Sequence, residues 1–594
     1  MRVADYIMQR LSEAGVEHVF QVTGRGSLFL SDALAKHPDL RAVSLHHEQS
    51  CAFAAVACAE QTGGLGACLV STGCASTNTL TGVLSAWQDG VPCVFISGQN
   101  ILRETSRYTG IALRTFGQQE ADIVTLVSPI TKFARMITTP EEIVEALDLA
   151  LAQAQSGRKG PVWLDIPLDL QSALIDPEQI TRPTPNAVEP LLPRPEDLAE
   201  VLSYLRSAQR PVILIGSGIR AARAQALLKE FVERWNIPLT YTAAAPDTYG
   251  AAHPMSIGSV GAMGCSRAGN FAVQNADFVL VLGSRLTPLN TGPDLCNFAR
   301  SARITVVDID RLEHSKRSIR IDLFVHSDVW AFLEAMNQSE VHAVPAAWVA
   351  KCQHWKQRFR EIEPEFTSDT VVDLYQLADR LSDILPTPST LVTDSGLAEV
   401  ILPTNLRFAD GVNCIHPASQ GAMGFALPAA IGAQHGRLQP VVAVIGDGSI
   451  MMNLQELESI RHQQLPVKII VINNNMYSII RRRQRGLFRK RTIGTDPGNG
   501  VSCPEFARVA DCFGIHYMRI EHPGQLDVVL KEMLEYSGPV LCEIMGRADQ
   551  GYIEIGHARS IVDRRHVRRP LEDQEPFLAR DLFLAEMIIE PIDQ

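Results

Sequence analysis

Asp447 and Asn474 are the residues whose types and spacing speak most directly of chemistry. Asp447 stands in Gly446-Asp447-Gly448, just after the apolar run 441–445. Asn474 stands in Asn473-Asn474-Asn475, just after a second apolar run, 467–472. If both runs are strands of one parallel sheet, with the intervening residues helical, the two side chains meet at its carboxyl edge, where doubly wound folds bind ligands. One carboxylate, one amide oxygen and a nearby backbone carbonyl suit a hard divalent ion that also takes phosphate oxygens. The glycines beside Asp447 let backbone approach a diphosphate, and the following helix begins with its positive end toward it. The plain alternative is a polar strand-turn-helix with no ligand.

These residues must be positioned by a large scaffold. At 594 residues the chain exceeds a single hydrophobic core, and three domains are expected. The segment 177–195 carries six prolines and reads as an extended linker. A second break is expected around 341–367, a polar stretch containing tryptophans. The expected domains are 1–176, 196–340 and 368–545, with a tail at 546–594. Each alternates apolar runs with helical patterns, so the fold class is α/β, with three doubly wound, mainly parallel sheets. The outer two look like copies. Residues 65–98 and 440–473 share strand, glycine turn, helix and a Pro-Val strand, and GPVWLDIP from Gly160 echoes GPVLCEIM from Gly538. Similar topology in any two α/β domains is the competing explanation.

Composition narrows the function. Apolar residues make up 46% and charged residues 20%, as in an ordinary globular enzyme. A net charge of -12 argues against general nucleic-acid binding. No apolar run reaches membrane-span length, and the first residues show charge and apolarity at helical spacing rather than a signal peptide. Twelve cysteines lie scattered without a Cys-x-x-Cys pair, many in apolar runs, so reduced buried thiols and a cytoplasmic location are expected.

The GDGS turn, the 27-residue spacing from Asp447 to Asn474 and the closing Asn-Asn resemble the thiamine-diphosphate motif, and the resemblance extends over nearly the whole chain. The sequence is similar to the acetolactate-synthase-like carboligases. That resemblance implies pyrimidine-binding, Rossmann-like central and diphosphate-binding domains, in chain order. It implies Mg2+ held by Asp447, Asn474 and the carbonyl of Met476. It also implies a homodimer or homotetramer with active sites between subunits. Glu48, in HHEQ after the apolar run 40–45, matches the family's catalytic glutamate. Opening a small-residue helix would bury it, and burial raises a carboxylate's pKa; a surface helix cap is the alternative. The turn 71–78 stands where the family places a loop against the cofactor, with Thr72 and Asn78 as contacts and Cys74 replacing a proline. Residues 116–124 resemble the family's Phe-Gln-Glu segment, so Gln119 is expected to point at substrate. Residues 417–432 match the pyrimidine-contacting segment, with Met423 expected under the cofactor and backbone near Gly421 at the aminopyrimidine. Ser395, Gly396, Gly446, Gly448 and Ser449 complete the expected diphosphate contacts.

In the central domain, strand-end glycine and acid signatures at Gly216, Gly218, Gly261, Met263, Gly283, Arg285 and Asp308 occupy positions that surround a non-redox FAD in acetolactate synthases. Met263 and residues 287–289 depart from that family, and related decarboxylases keep the domain without flavin, so FAD is a candidate cofactor only.

Seven of the eleven residues 481–491 are basic, in an acidic protein. Arg483 occupies a position where acetolactate synthases carry a tryptophan that shapes the second-substrate site. Arg25 and Gln118 are further departures at the expected mouth, and Ile479 lies beside them. A solvated or subunit-contact face competes with a cleft for an anionic acceptor larger than pyruvate. The expected activity is a Mg2+/thiamine-diphosphate carboligase using a 2-keto acid donor, pyruvate first, and a carbonyl acceptor. The alternatives are thiamine-dependent cleavage of a cyclic 1,2-diketone, simple decarboxylation, or a non-catalytic cofactor-binding scaffold subunit.

Overall fold

The computed structural model describes residues 1–180, 190–316, 319–559 and 566–592. Its framework is three six-stranded sheets, every one parallel throughout. The first contains β1 (His18–Gln21), β2 (Arg41–Ser44), β3 (Gly66–Val70), β4 (Cys93–Gln99), β5 (Phe133–Met136) and β6 (Pro161–Pro167), in the order β2-β1-β3-β4-β6-β5. The second contains β7 (Pro211–Ile215), β8 (Leu239–Tyr241), β9 (Ser256–Ser259), β10 (Phe278–Leu282), β11 (Arg303–Asp308) and β12 (Leu323–His326), in the order β12-β11-β10-β7-β8-β9. The third contains β13 (Ser389–Thr393), β14 (Val412–Ile415), β15 (Val441–Gly446), β16 (Lys468–Asn473), β17 (His516–Ile520) and β18 (Val540–Met545), in the order β14-β13-β15-β16-β18-β17.

Numbered within itself, the third sheet has the strand order of the first, so the likeness between the outer segments extends to topology. The second follows the Rossmann order, whose reversal point lies between β7 and β10. The inner strands β3, β4, β6, β7, β10 and β13 are buried at every residue, which is why they read as continuous apolar runs rather than alternating ones.

The two outer domains pack through small-residue helices. A Cβ added to Gly432, in the helix Ala426–Gly436, would lie 2.0 Å from the carbonyl of Ala54, in the helix Glu48–Thr62. Phe53 and Phe425 close the contact edge to face at 5.2 Å. The small residues of these two helices thus make a domain interface.

Residues 181–189, the middle of the proline-rich linker, lie outside the described residues. The stretch expected as a second break is not an open linker. The helix Ala346–Arg358 occupies much of it and buries Trp348, Cys352 and Trp355 against the central domain. The tail continues this wrapping. Glu586 accepts from the Trp355 indole at 3.0 Å and pairs with Lys351 at 2.6 Å. Among the described residues, no helix is long and apolar enough to cross a membrane.

Candidate functional site

The parallel pairing of β15 with β16 brings Asp447 and Asn474 together, as their spacing predicts. One carboxylate oxygen of Asp447 accepts from the Asn474 amide at 3.1 Å and from the Asn475 amide; the other accepts from Gly448 at 2.7 Å. Asp447 is buried, and burial pushes its pKa up to about 6 despite these amides. Among the described residues no cationic side chain forms an ion pair with it. A divalent ion would supply the positive charge that no side chain provides here. The Asn474 side-chain oxygen accepts from the Met476 amide at 3.3 Å while its nitrogen donates to Ser478 at 2.7 Å. Carboxylate, amide oxygen and the Met476 segment are therefore adjacent, and the donor set fits a hard ion beside a diphosphate. Gly448 has a conformational reason as well, because any Cβ there would strike the Tyr477 ring at 2.0 Å.

Around this edge, Gly396 has φ 95° and open space where a Cβ would stand, and it starts the helix Leu397–Asn405. Gly421 has φ 62°; a Cβ there would lie 3.9 Å from the Ser395 hydroxyl. Ser395, Gly396, Gly421 and Met423 are all half-buried; Gly446 ends β15, and Gly448 and Ser449 lie in the turn after it. The residue that ties these pieces together is Asp394, which sequence reasoning passed over. Its buried carboxylate accepts from the amides of Gly424 at 3.1 Å and Ala426 at 2.7 Å and from the Ser449 hydroxyl, and burial lifts its pKa to about 7. The signal was present as an acid directly after a fully buried strand.

At the first sheet's edge, His47 caps the helix that Glu48 opens, accepting from Gln49 at 3.2 Å. Glu48 accepts from Asn78 at 2.9 Å. The expectation of burial is not met within one chain, where Glu48 is half-buried and Asn78 exposed. The helix start is nonetheless fixed to the third domain, since Ser50 donates to Asn453 at 3.1 Å and Asn453 donates to Gly424 at 2.9 Å.

A small cavity of about 30 Å³ at this edge gathers Arg25, Thr72, Gln118 and Gln119. Thr72 donates to Gly98 at 3.1 Å, and Arg25 bonds to Gln118. Gln119 takes a left-handed φ of 58° over Gly73, where any Cβ would collide with the Gln119 carbonyl at 1.7 Å. Glu120, also unremarked in the sequence, holds the loop by accepting from Ser106 at 2.7 Å and Phe116 at 2.7 Å.

The central sheet opens a cavity of about 610 Å³ at its reversal point. Gly216, Gly218, Gly283, Arg285 and Asp308 line it, as expected of a dinucleotide site. Gly261 and Met263 do not. Their turn is drawn onto the tail-proximal strand instead, with Gly264 donating to Ile553 at 2.6 Å and Ile555 to Ala262 at 3.1 Å.

The basic run forms the helix Ser478–Leu487 and the turn after it. Most of its helical charge is spoken for. Arg481 pairs with Asp496 at 3.0 Å and Asp549 at 2.7 Å, Arg482 pairs with Glu554 at 2.6 Å, and Arg485 lies 3.6 Å from Asp549. Arg483 is exposed and has no carboxylate partner among the described residues; its guanidinium reaches the Met263 thioether at 3.6 Å. Ile479 is partly buried against the core shared by the central and third sheets.

Comparison with known proteins agrees with this architecture. Residues 1–126, 198–336 and 394–544 match the N-terminal TPP binding, central and C-terminal TPP binding domains described for thiamine pyrophosphate enzymes. Over 551 residues the chain is 31% identical to the acetolactate synthase isozyme 2 large subunit of Escherichia coli (strain K12), covering 92% of this chain and 95% of that protein. It is likewise 31% identical to a probable chloroplastic acetolactate synthase 2 of Oryza sativa subsp. japonica, over 91% of this chain and 82% of that protein. A similar match, 31% over 91% of the chain and 86% of the relative, is to the acetolactate synthase large subunit of Parasynechococcus marenigrum (strain WH8102).

Proposed function

Because the chain belongs to the thiamine pyrophosphate enzymes, among the acetolactate-synthase-like members, we propose that it is a carboligase. It removes CO2 from a 2-keto acid, pyruvate being the first candidate, and joins the remaining acyl unit to the carbonyl of an acceptor. The observation that carries this reading is the buried carboxylate of Asp447, without a cationic partner among the described residues and held against Asn474 at the carboxyl edge of the third sheet. Thiamine diphosphate, when bound, supplies the nucleophilic carbon on which decarboxylation and carbon–carbon bond formation depend.

The chain's residues divide the remaining work. Asp447, Asn474 and the Met476 carbonyl hold Mg2+, and Ser395, Gly396, Gly446, Gly448 and Ser449 receive the diphosphate. Glu48, oriented by Asn78, holds a proton at the pyrimidine nitrogen. Gly421 and Met423 support the pyrimidine, and Thr72 shapes the floor. Gln119 orients substrate. Arg483, the helical arginine left without a carboxylate, meets an anionic acceptor, with Arg25, Gln118 and Ile479 around it. FAD is the candidate occupant of the central cavity, whose size and strand-end glycines fit a dinucleotide.

The half-open Glu48–Asn78 pair supports a homodimer or homotetramer in which a second subunit closes the site. All twelve cysteines are free thiols and eight are buried, which supports a cytoplasmic location. The domain limits 1–176, 196–340 and 368–545, with the tail 546–594, belong to the same reading.

The test is product analysis with Mg2+, thiamine diphosphate and pyruvate, with and without carbonyl acceptors that include nucleotide-linked keto sugars. A pyruvate-dependent coupled product is expected. Aldehyde release alone would make the protein a decarboxylase, cleavage of a cyclic 1,2-diketone instead would make it a hydrolase, and no turnover of any donor would make it a scaffold.

A further inference from the structure

The stretch 416–420, which leads directly into the Gly421–Met423 turn, is suspended from the other two domains. Each of its three polar side chains makes a hydrogen bond outside its own domain. His416 bonds to the Ala243 carbonyl at 2.8 Å, in the central domain. Gln420 donates to the Thr81 carbonyl at 2.8 Å, in the first domain. Ser419 does both: its hydroxyl donates to Asp89, at the end of the helix Leu80–Asp89, and accepts from a terminal nitrogen of Arg285, just beyond β10. Ser419, Asp89 and Arg285 also line the 610 Å³ central cavity.

The wall of one candidate cofactor site is therefore continuous with the support of the other. The Arg285 guanidinium uses one nitrogen for Ser419, and among the described residues the other two have no hydrogen-bond partner and no carboxylate in ion-pair range. A guanidinium presents its donors as a rigid planar fork, so an anion in the cavity can take the free nitrogens without breaking the Ser419 bond. Gly216, Gly218 and Gly283 make room beside it. A Cβ on Gly218 would lie 2.6 Å from the Gly283 Cα, so the segments that follow β7 and β10 approach this closely only with glycine at both positions.

We propose that Arg285, Ser419 and Asp89 are positioning residues that couple the two sites: a nucleotide phosphate held in the central cavity fastens Arg285, and through Ser419 fixes the turn that receives thiamine diphosphate. The proposal rests on the thiamine reading above and adds a direction and a route. The coupling is favourable, because fastening Arg285 removes freedom from the 416–423 stretch that thiamine diphosphate would otherwise have to restrain itself. It is also reciprocal, as any linkage of two binding free energies must be.

Calorimetry on the full chain tests this, with thiamine diphosphate titrated at fixed Mg2+ into protein alone and into protein saturated with FAD or with ADP. The expected result is binding about fivefold tighter or more in the presence of the nucleotide, with the same factor for the nucleotide when thiamine diphosphate is loaded first. Ser419→Ala should bind both ligands with a coupling factor near one. Asp89→Asn, whose amide oxygen can still accept from Ser419, should preserve the factor where Asp89→Ala loses it. Unchanged melting of the apo variants separates lost coupling from lost folding. Equal thiamine diphosphate affinity with and without bound nucleotide overturns the coupling alone, as does a full factor surviving in Ser419→Ala. Absence of any nucleotide binding overturns both the coupling and the assignment of the cavity. Failure of thiamine diphosphate to bind at all overturns the thiamine reading itself.

Discussion

The first and third sheets share one strand order, yet their edges present different groups. In each, the turn after the third strand and the turn after the fourth face the ligand side. After β15 comes Asp447, and after β3 comes Ser71; after β16 comes Asn474, and after β4 comes Asn100. The asparagines keep the same place. Asn100 donates to the Gln118 carbonyl at 3.0 Å and so supports the loop that carries Gln119, whereas Asn474 sits beside a buried carboxylate. An acid just past one strand and a hydroxyl just past the other separate a turn that presents a buried carboxylate from a turn that hydrogen-bonds through neutral groups. The difference teaches that the scaffold sets where ligands arrive and the first residue past each strand sets which ligands they are.

Removing that acid is the strongest way to break the distinction. Asp447→Ala should abolish Mg2+-dependent retention of thiamine diphosphate, since an amide and a carbonyl alone lack the charge to hold the ion beside a diphosphate. Metal and cofactor content of the purified protein reads this out; stoichiometric Mg2+ and cofactor in the variant would defeat the assignment. The complementary change at the first sheet is Glu48→Gln. It should leave cofactor and metal bound while slowing proton exchange at the cofactor's reactive carbon by about 10²-fold or more, the usual scale for a lost acid–base group. Exchange at the wild-type rate would remove Glu48 from the mechanism.

Most of the scaffold, and the meeting of Asp447 with Asn474, was legible in the sequence, because buried parallel strands announce themselves as apolar runs and glycine-flanked acids mark their ends. What escaped were residues acting through partners distant in sequence. Asp394 gains meaning only when Ser449 and the Ala426 amide converge on it, and Ser419 only when Asp89 and Arg285 arrive from two other domains. The placement of Gly261 and Met263 away from the cavity escaped for the same reason. Nothing near them in sequence shows that residues 553–555 will pull their turn away from the cavity. The stretch 341–367 lies between the matched central and C-terminal domains, but its tryptophans, ambiguous in a polar stretch, anchor a helix rather than a loose connection.

A subtler distinction runs through the basic helix. Arg482 is held by Glu554 and lies over the Tyr552 ring at 5.5 Å, while Arg483 beside it has no acid. If Arg483 reads an anionic acceptor, Arg483→Ala should raise the acceptor KM by about tenfold, the scale of a lost hydrogen bond to a charged group. Decarboxylation without acceptor should barely change, because the donor half-reaction is complete before the acceptor is engaged. Added salt should weaken the same step, as exposed charge pairs are screened over roughly 8–10 Å. Parallel loss of both half-reactions would assign Arg483 to structure or to the donor. No change in either would leave the run a solvated face.

The smallest expected effect lies beneath the edges, on the sixth strand of the first sheet. Asp165 in β6 occupies the place of Glu543 in β18, and each acid braces the last residue of the fourth strand, Gln99 at 3.1 Å in one case and Asn473 in the other. Asp165 is buried, also accepts from Ser97 at 2.6 Å, and burial pushes its pKa up to about 7. Its unfolded value is near 3.9, so between roughly pH 4 and 7 the folded chain holds a proton that the unfolded chain has released. Stability from this group is therefore full below pH 4 and lost as pH rises through about 7. Melting of the apo chain should fall between pH 5 and pH 8, and Asp165→Asn, neutral throughout, should flatten part of that slope. The flattening is partial because Asp394, at about 7, and Glu60, raised by burial to about 8, contribute in the same direction. A slope identical in wild type and variant would mean that Asp165 ionises in the folded chain as it does in the unfolded one, and that water reaches the inner layer of the first sheet.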